Sequence, residues 1–189
     1  MISLHEPHSG LHVLIEGRMK TLRFSSEGRV IILELLDAGD VFGETSFVND
    51  QSLVPVYAEA LGEVELESIP RFTVERALAS RPALALGFTR LMGVRRSRLE
   101  RRLEDYTFER VPTRLIRLLL ELGERFGEPG PSGTILDTSL SQQDLANLIG
   151  ASREIVSLTL SELKRRGAVS MAGRRIVIHD ASLRREATA

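Results

Sequence analysis

Short runs of β-branched or alternating apolar residues, separated by glycines, fill the first seventy residues of the chain. Such runs predict β-strands, and we expect strands within HVLIEG, MKTLRF, RVIILELL, VYAEAL and EVELESI. Glu27-Gly28 and Ala38-Gly39 are typical turn pairs between strands. Short strands with a turn glycine about every ten residues favour a β-sandwich or β-roll over a parallel α/β fold.

From Pro82 onward the apolar residues recur at steps of three and four, which predicts one long helix with a narrow apolar seam. The residues of this seam are Leu84, Phe88, Leu91, Met92, Leu99, Leu103 and Tyr106. The other faces carry Arg90, Arg95, Arg96, Arg98, Arg101 and Arg102, which we interpret as a solvated surface. A narrow seam on a long helix favours pairing with a second copy, so we expect a homodimer. Packing of the seam on the chain's own β-roll is the alternative.

A shorter helix is predicted after the long one. Pro112 interrupts the long helix, and proline suits the first turn of a new helix, which residues 114–126 continue with an amphipathic pattern. The sequence GEPGPSG, residues 127–133, has the composition of a loop. We therefore expect a β-roll domain at residues 1–80, a dimerisation helix at residues 81–108 and a C-terminal domain at residues 109–189.

Two short amphipathic helices with a single glycine between them are predicted at residues 141–167. Ser141 and Asp144 resemble a capping box that starts the first helix, and Gly150 supplies the left-handed residue that ends it. Ser152 then caps the second helix, and the small Ala146 lets the two helices approach closely. The inward residues are Leu145, Leu148, Ile149, Val156, Leu160 and Leu163. Two helices joined by a glycine turn form a helix-turn-helix.

The second helix of this motif turns four side chains outward near its start. Arg153 and Glu154 lie where a recognition helix meets base edges, and Ser157 and Leu158 follow one turn later. Arginine can bond O6 and N7 of guanine together, while a carboxylate can accept a hydrogen bond from N4 of cytosine. A glutamate facing a polyanion is otherwise unfavourable, so we interpret these residues as readers of DNA bases. A helix-turn-helix used only for packing is the alternative.

The sequence AVSMAGRRIVIH, residues 168–179, predicts two short strands around Ala172-Gly173, the wing of a winged helix. Contacts to DNA phosphates position a protein without specifying sequence. We expect such contacts from Ser141, Gln142, Gln143, Ser152, Ser161, Gly173, Arg174 and Arg175.

The distribution of charge agrees with an anionic partner for the C-terminal part. Residues 1–70 hold 12 acidic and 4 basic side chains, whereas the remaining residues hold 14 acidic and 21 basic ones. The chain has no cysteine, which excludes disulfides, thiolate catalysis and thiolate-bound metal clusters. No secretion signal or bilayer-long apolar stretch is visible, so we expect a cytoplasmic protein.

The sequence resembles the Crp/Fnr family of transcription regulators over nearly its whole length. The resemblance rests on LSQQDLANLIGASREIVSLTLSELKRRG with the wing after it, and on EG…EG…AGDVFGE, residues 16–44. The C-terminal half looks most like the cyanobacterial nitrogen regulators of this family. The resemblance implies an α+β fold: a β-roll of the cyclic-nucleotide-binding kind, a long dimerisation helix and a winged helix-turn-helix. Family members usually have further strands before the position of Ser3, so we expect either a truncated roll or a longer natural product.

The resemblance also implies a mode of action. It implies a homodimer that binds palindromic double-stranded DNA and activates transcription, with residues 127–133 touching RNA polymerase. Arg153 and Glu154 match two base-reading residues of the family, whereas the position of a third reader, an arginine, is Leu158 here. Leucine cannot donate a hydrogen bond, so we expect a relaxed or altered half-site, with at most a thymine methyl touched at that base.

The effector pocket implied by the resemblance is degenerate in this sequence. Gly43, Glu44 and Thr45 match the start of the family's phosphate-binding cassette. The Arg-Ser pair that holds a cyclic phosphate aligns with Val54-Pro55, and the Thr-Ser pair that contacts adenine aligns with Leu99-Glu100. No arginine or lysine occurs between Arg29 and Arg71, and burying an anion without a cation costs several kcal/mol. We therefore expect no control by cyclic nucleotides.

Three hypotheses about effectors and chemistry follow. The protein is active without an effector, or it senses an unknown ligand less charged than a cyclic nucleotide. A metal-dependent β-roll enzyme is the remote alternative, because His5, His8 and His12 lie close together in the sequence. Their spacing does not match the paired histidines and glutamate of cupins, so we expect no metal, no cofactor and no enzymatic activity.

Overall fold

The computed structural model describes residues 1–4, 10–48, 55–136, 139–172, 175–179 and 183–184. The chain forms two compact units, Met1–Glu100 and Arg101–Ala189. Within the described residues, no helix is both long enough and apolar enough to cross a membrane.

The first unit is built from two antiparallel sheets. Its strands are β1 (Ile2–Ser3), β2 (Leu11–Glu16), β3 (Met19–Phe24), β4 (Val30–Leu36), β5 (Val41–Phe42), β6 (Tyr57–Ala60) and β7 (Glu65–Ile69). One sheet has the order β1-β6-β3-β4 and the other β5-β2-β7. The buried cluster of the unit comprises Leu4, Leu14, Met19, Leu36, Phe42, Val56 and Ala58. The five predicted strands and the predicted sandwich or roll are confirmed, while the two-residue strands β1 and β5 were not predicted.

Two helices follow the strands. The first, α1 (Arg71–Ser80), buries only Val74 among its residues and was not predicted. The second, α2 (Pro82–Phe108), confirms the predicted long helix, and none of its 27 residues is buried. The interpretation of all its arginines as a solvated surface is wrong for Arg95, whose side chain is only 11% exposed.

The second unit contains the end of α2 and a three-helix core with a four-stranded sheet. Its elements are α3 (Val111–Phe126), β8 (Gly127–Gly130), β9 (Gly133–Leu136), α4 (Gln142–Ile149), α5 (Arg153–Arg165), β10 (Val169–Ala172) and β11 (Arg175–Ile178). The antiparallel sheet has the order β10-β11-β9-β8. Pro112 lies in the first turn of α3, as predicted.

The prediction of a plain loop at residues 127–133 is wrong. Gly127–Gly130 pairs with Gly133–Leu136, so these residues form a β-hairpin. The hairpin is possible because β9 also pairs with β11, so that the strand gains a partner on each side.

Candidate nucleic-acid interface

The first helix of the motif starts with the predicted capping box. The Ser141 hydroxyl accepts a hydrogen bond from the Asp144 amide (3.1 Å), and the Asp144 carboxylate accepts one from the Ser141 amide (2.9 Å). Asp144 is buried, and its carboxylate also accepts a hydrogen bond from the Ser141 hydroxyl (2.6 Å). The same end of the helix exposes Gln142 and Gln143, two of the residues expected to contact phosphates.

A tight turn separates α4 from α5. Gly150 has φ 61° and ψ 46°, the left-handed conformation that glycine adopts without a steric penalty. The Ala151 amide donates to the Ala146 carbonyl (3.0 Å), and Ala146 is completely buried where the two helices approach. The predicted helix-turn-helix is confirmed in both helices and in the turn.

The second helix presents a defined outer face. Val156, Leu160 and Leu163 are buried on its inner side. The outer side exposes Arg153, Glu154, Leu158 and Ser161, with Ser157 half-buried among them. Leu158 is 71% exposed, which leaves its side chain accessible to an apolar group.

The sequence reasoning missed Ile155 on this helix. It is 43% exposed and lies three residues before Leu158, so the two side chains form a short apolar strip beside the polar residues. The sequence did contain a signal for this exposure. The buried residues Val156, Leu160 and Leu163 follow the helical period, and Ile155 is not one of these positions.

The Glu154 carboxylate is held in its ionised form. Its own backbone amide and the Ser152 hydroxyl lower the pKa of Glu154 below its ordinary value, with a smaller effect of Arg153. Ser152 also caps the helix, accepting a hydrogen bond from the Ile155 amide (3.4 Å). An ionised carboxylate with free lone pairs can accept a hydrogen bond from a cytosine amino group.

The last turn of α5 carries a carboxylate that binds two arginines. Glu162 accepts hydrogen bonds from Arg165 (2.6 and 2.8 Å) and from Arg166 (2.7 Å). These bonds lower the pKa of Glu162 to about 2. The carboxylate therefore neutralises part of the positive charge that this end of the helix would otherwise present.

The wing is joined to the β8–β9 hairpin by the pairing of β11 with β9, and His179 adds side-chain contacts between them. Nδ1 of His179 lies 2.7 Å from the Ser132 carbonyl, and Nε2 lies 3.1 Å from the Ser170 hydroxyl. Because a carbonyl only accepts, Nδ1 carries a proton and donates to the Ser132 carbonyl. The predicted wing strands are confirmed as β10 and β11. Arg175 is exposed, while Gly173 and Arg174 lie outside the described residues.

The end of α2 is joined to the helix-turn-helix by Tyr106. Its hydroxyl donates to the Leu148 carbonyl (2.9 Å), and the Arg114 guanidinium lies 5.2 Å from its ring centroid. Burial raises the pKa of Tyr106, against a lowering effect of Arg102 and Arg114. The pattern assigned Tyr106 to the dimer seam, whereas the structure places it against the turn of its own chain.

The residues of the implied effector pocket are only partly brought together. Gly43 has φ 96° and starts a 3₁₀ turn, Glu44–Phe47, in which the Thr45 hydroxyl donates to the Leu4 carbonyl (3.3 Å). Pro55 is exposed, and Val54 lies outside the described residues. On α2, Leu99 is 46% exposed and Glu100 forms an ion pair with Arg96 (2.7 Å).

Sequence reasoning missed the cation beside this turn, because that cation comes from α2. Nη1 of Arg95 lies 3.0 Å from Oε2 of Glu44, and Nε lies 3.1 Å from Oε2 of Glu34. The second contact has the distance of an ion pair but not the alignment of a hydrogen bond. Burial raises the pKa of Glu34, and Arg95 is the main group that opposes this shift.

His12 is a core residue rather than a solvated one. It is 8% exposed, its Nδ1 lies 2.9 Å from the Ser68 hydroxyl, and its ring stacks on Phe42 at 5.2 Å. Burial lowers the pKa of His12. Among the described residues no three histidine or acidic side chains are grouped so that they could hold a metal, and His5 and His8 lie outside those residues.

Comparisons with known proteins agree with this geometry. Residues 113–183 match the family described as Crp-like helix-turn-helix domain, and residues 2–81 match the cyclic nucleotide-binding domain. The chain is 31% identical over 175 residues to the CRP-like cAMP-activated global transcriptional regulator of Mycobacterium tuberculosis, covering 93% of this chain and 78% of the relative. It is 32% identical over 176 residues to the global nitrogen regulator of Synechocystis, with the same coverage.

Solved structures show the same fold at lower identity. A CooA mutant from Carboxydothermus hydrogenoformans has a TM-score of 0.81 at 19% identity, covering 99% of this chain and 83% of that one. FixK2 from Bradyrhizobium japonicum has a TM-score of 0.82 at 22% identity, covering 96% and 88%. The expected arrangement of a cyclic-nucleotide-binding β-domain, a long helix and a helix-turn-helix with a hairpin wing is thereby confirmed.

Proposed function

Because the chain belongs to the Crp/Fnr family of DNA-binding transcription regulators, we propose that it acts as a homodimer on palindromic operators and needs no cyclic nucleotide to bind them. Its relatives are regulators, which also decides against the enzyme hypothesis. The observation that carries the proposal is the exposed face of α5, with an arginine and an ionised glutamate on the first turn.

The base contacts we propose follow from the chemistry of that face. Arg153 bonds O6 and N7 of a guanine, and Glu154 accepts from N4 of a cytosine. Leu158 contacts a thymine methyl, with Ser157 beside it. Phosphate contacts come from the exposed start of α4, from Ser152 and Ser161, and from the wing at residues 173–175. These contacts set the position of α5 in the major groove.

The surface of α2 supports dimerisation. Leu99 and Leu103 are 46% and 63% exposed, and Phe88, Leu91 and Met92 are only half-buried in the single chain. A helix with this much uncovered apolar surface is stabilised by a second copy along the same seam. A twofold dimer places the two recognition helices about 34 Å apart, so the operator is a palindrome with half-sites one turn of DNA apart.

The proposed organisation keeps a β-roll domain at residues 1–80, a dimerisation helix at 81–108 and a DNA-binding domain at 109–189. The exposed tip of the β8–β9 hairpin, at Pro131 and Ser132, supports a contact with RNA polymerase and hence a role as an activator. Because the proposed function is the regulation of transcription, we place the protein in the cytoplasm.

The proposal that cyclic nucleotides do not control this protein rests on the cassette. One relative is described as cAMP-activated. In this chain the position of the phosphate-binding pair is Val54-Pro55, neither of whose side chains can donate a hydrogen bond to a phosphate. The alternative, a regulator that needs an unknown metabolite, is supported by the acidic composition of the β-roll, which suits a neutral or cationic ligand.

Selection of binding sites from random duplex DNA tests the function, with purified protein and no added small molecule. We expect an enriched palindrome whose half-site contains guanine and cytosine at the positions of Arg153 and Glu154. Arg153→Ala should then weaken binding to that palindrome by about 5- to 150-fold, the equivalent of 1–3 kcal/mol for a lost bidentate contact. Binding to unrelated DNA, which depends on phosphates, should not change.

The outcomes of this selection separate the two hypotheses. No enrichment without additives, followed by enrichment when a metabolite mixture is present, would support the metabolite-dependent alternative. Failure to enrich any sequence under either condition would contradict sequence-specific reading by α5. An enriched palindrome that Arg153→Ala binds as tightly as the wild type would refute the assignment of Arg153.

A further inference from the structure

Two residues, Glu109 and Arg110, form the joint between α2 and α3. The Glu109 amide still donates to the Asp105 carbonyl in the last turn of α2 (3.0 Å). The change of direction therefore falls on Arg110, whose backbone is extended (φ −73°, ψ 155°) and whose side chain forms no capping hydrogen bond to α3. One extended residue can turn about its two soft torsions, so side-chain contacts decide how firmly the direction of α3 is held.

The side chain of Arg117, on α3, spans this joint. Its Nη1 donates a hydrogen bond to the Asp105 carboxylate, and its Nη2 donates one to the Glu109 carboxylate (2.6 Å). Asp105 lies on α2 and Glu109 in the joint, so both acceptors precede the residue at which the chain turns. Because the two bonds leave from different nitrogen atoms of one rigid guanidinium, a rotation of α3 about Arg110 would break at least one of them.

The two carboxylates lie where the helix itself does not stabilise them. Asp105 and Glu109 are at the C-terminal end of α2, where the helix dipole disfavours negative charge, and the last turn of α2 contains no basic residue. Their side chains are only 19% and 29% exposed, against 45% for that of Arg117. Negative charge that is partly withdrawn from water at this end of a helix is unfavourable unless a cation binds it, so Arg117 stabilises both carboxylates.

We propose that Arg117 holds the α2–α3 joint at one angle and thereby fixes the distance between the two recognition helices of the dimer. This inference rests on the proposed function, in which α2 forms the dimer and α5 reads a half-site. Because α3 packs against α5, a turn at the joint moves α5 relative to the dimer axis. Arg117 is thus a positioning residue, which sets the spacing of half-sites that the dimer accepts.

The spacing of half-sites gives a measurement that a merely structural role would not change. One base pair inserted at the centre of the selected palindrome moves the half-sites apart by about 3.4 Å and rotates them by about 35°. The wild type should lose at least about tenfold in affinity on this insertion. The loss in Arg117→Gln should be at least about threefold smaller, because its recognition helices can follow the displaced half-sites.

Arg125→Gln is the matched control, because it removes an arginine from α3 whose ion pair, with Glu121, stays within that helix. Its ratio of affinities for the two spacings should equal that of the wild type. Asp105→Asn should change the ratio in the same direction as Arg117→Gln. The double variant should differ from Arg117→Gln by less than about twofold, since both changes remove the same contact.

Amide hydrogen exchange tests the joint in the absence of DNA. The amides of Glu109 and Arg114 form backbone hydrogen bonds before and after the turn at Arg110 (3.0 and 3.1 Å). Ion pairs of this exposure change an equilibrium by up to about fivefold. Both amides should therefore exchange about threefold faster in Arg117→Gln, and about 1 M sodium chloride should bring the wild type toward the rate of the variant.

The two measurements separate the proposals. A ratio of affinities in Arg117→Gln equal to that of the wild type, or an equally reduced ratio in Arg125→Gln, would overturn the positioning role. Unchanged exchange of both amides would overturn the fixing of the joint. If the wild type selects no palindrome, the proposed function fails and amide exchange alone decides whether Arg117 holds the joint. If Arg117→Gln does not fold, Asp105→Asn, which keeps the shape of the side chain, takes its place in both measurements.

Discussion

The contact between Tyr106 and the helix-turn-helix allows a prediction that removes a single oxygen atom. Tyr106→Phe keeps the ring, which packs near Gly150 and under the Arg114 guanidinium, and deletes only the donor to the Leu148 carbonyl. Leu148 lies in the last turn of α4, where the carbonyls have no partner within the helix. The substitution therefore leaves an acceptor at the recognition turn without its tyrosine donor.

The size of the effect follows from the burial of the pair. A hydrogen bond of this kind contributes about 1 kcal/mol net, and a carbonyl left without a partner costs about 1–3 kcal/mol when fully buried. Tyr106 is only half-buried, so we expect the lower value, about 1 kcal/mol, which is roughly a fivefold change in an opening equilibrium. This change should be confined to the second unit.

Hydrogen–deuterium exchange measures that change locally. Amides of α4 and α5 should exchange about fivefold faster in Tyr106→Phe than in the wild type, whereas amides of β2 and β3 should exchange at the same rate. Thr107→Val is the matched control, because it also removes a hydroxyl that donates to a backbone carbonyl, that of Leu103, but at an exposed position. Equal rates in α4 for Tyr106→Phe and wild type would refute the reasoning, as would equal acceleration in β2.

Three further predictions rest on titratable groups. Burial raises the pKa of Tyr106 in the folded protein, so the stability that its neutral form contributes is complete below the ordinary pKa of 10 and is lost as the pH rises. The fall in melting temperature above pH 10 should therefore be smaller in Tyr106→Phe than in the wild type. Burial lowers the pKa of His12 in the folded protein, so the stability that its neutral form contributes is complete above the ordinary pKa of 6.5 and is lost as the pH falls. Between pH 8 and pH 5 the melting temperature should decline less in His12→Phe than in the wild type, with His179→Asn as the control. Parallel curves of melting temperature against pH for His12→Phe and the wild type would refute this. Glu162→Gln should release charge on Arg165 and Arg166 and steepen the salt dependence of non-specific DNA binding by about one unit in log K against log salt. Glu124→Gln, which releases Arg184 elsewhere, is the control, and an unchanged slope in Glu162→Gln would contradict the role of the carboxylate.

The helix-turn-helix could be predicted from the sequence because each of its determinants is local. The capping box spans Ser141 to Asp144, the left-handed turn needs only Gly150, and the inward side chains follow the helical period. The face of α5 that we propose as the DNA-reading surface follows from the same period, since the residues that are not buried must point outward.

Non-local pairing explains what could not be predicted. Gly127–Gly130 contains two glycines and a proline, which locally favour a loop, and becomes a strand only because β9 lies beside it and is itself paired with β11. Helix α1 has few apolar positions and buries only Val74, so its periodicity gives little signal.

Arg95 shows why the sequence pattern was insufficient for the effector question. The helical period distinguishes a seam from other faces, but it cannot tell which of six arginines lies opposite an acidic strand residue 61 positions earlier. The sequence between Arg29 and Arg71 contains no arginine or lysine, from which we predicted that this segment supplies no cation for a bound anion. The structure adds that Glu44 is not left without a counter-charge, because the cation is supplied by α2.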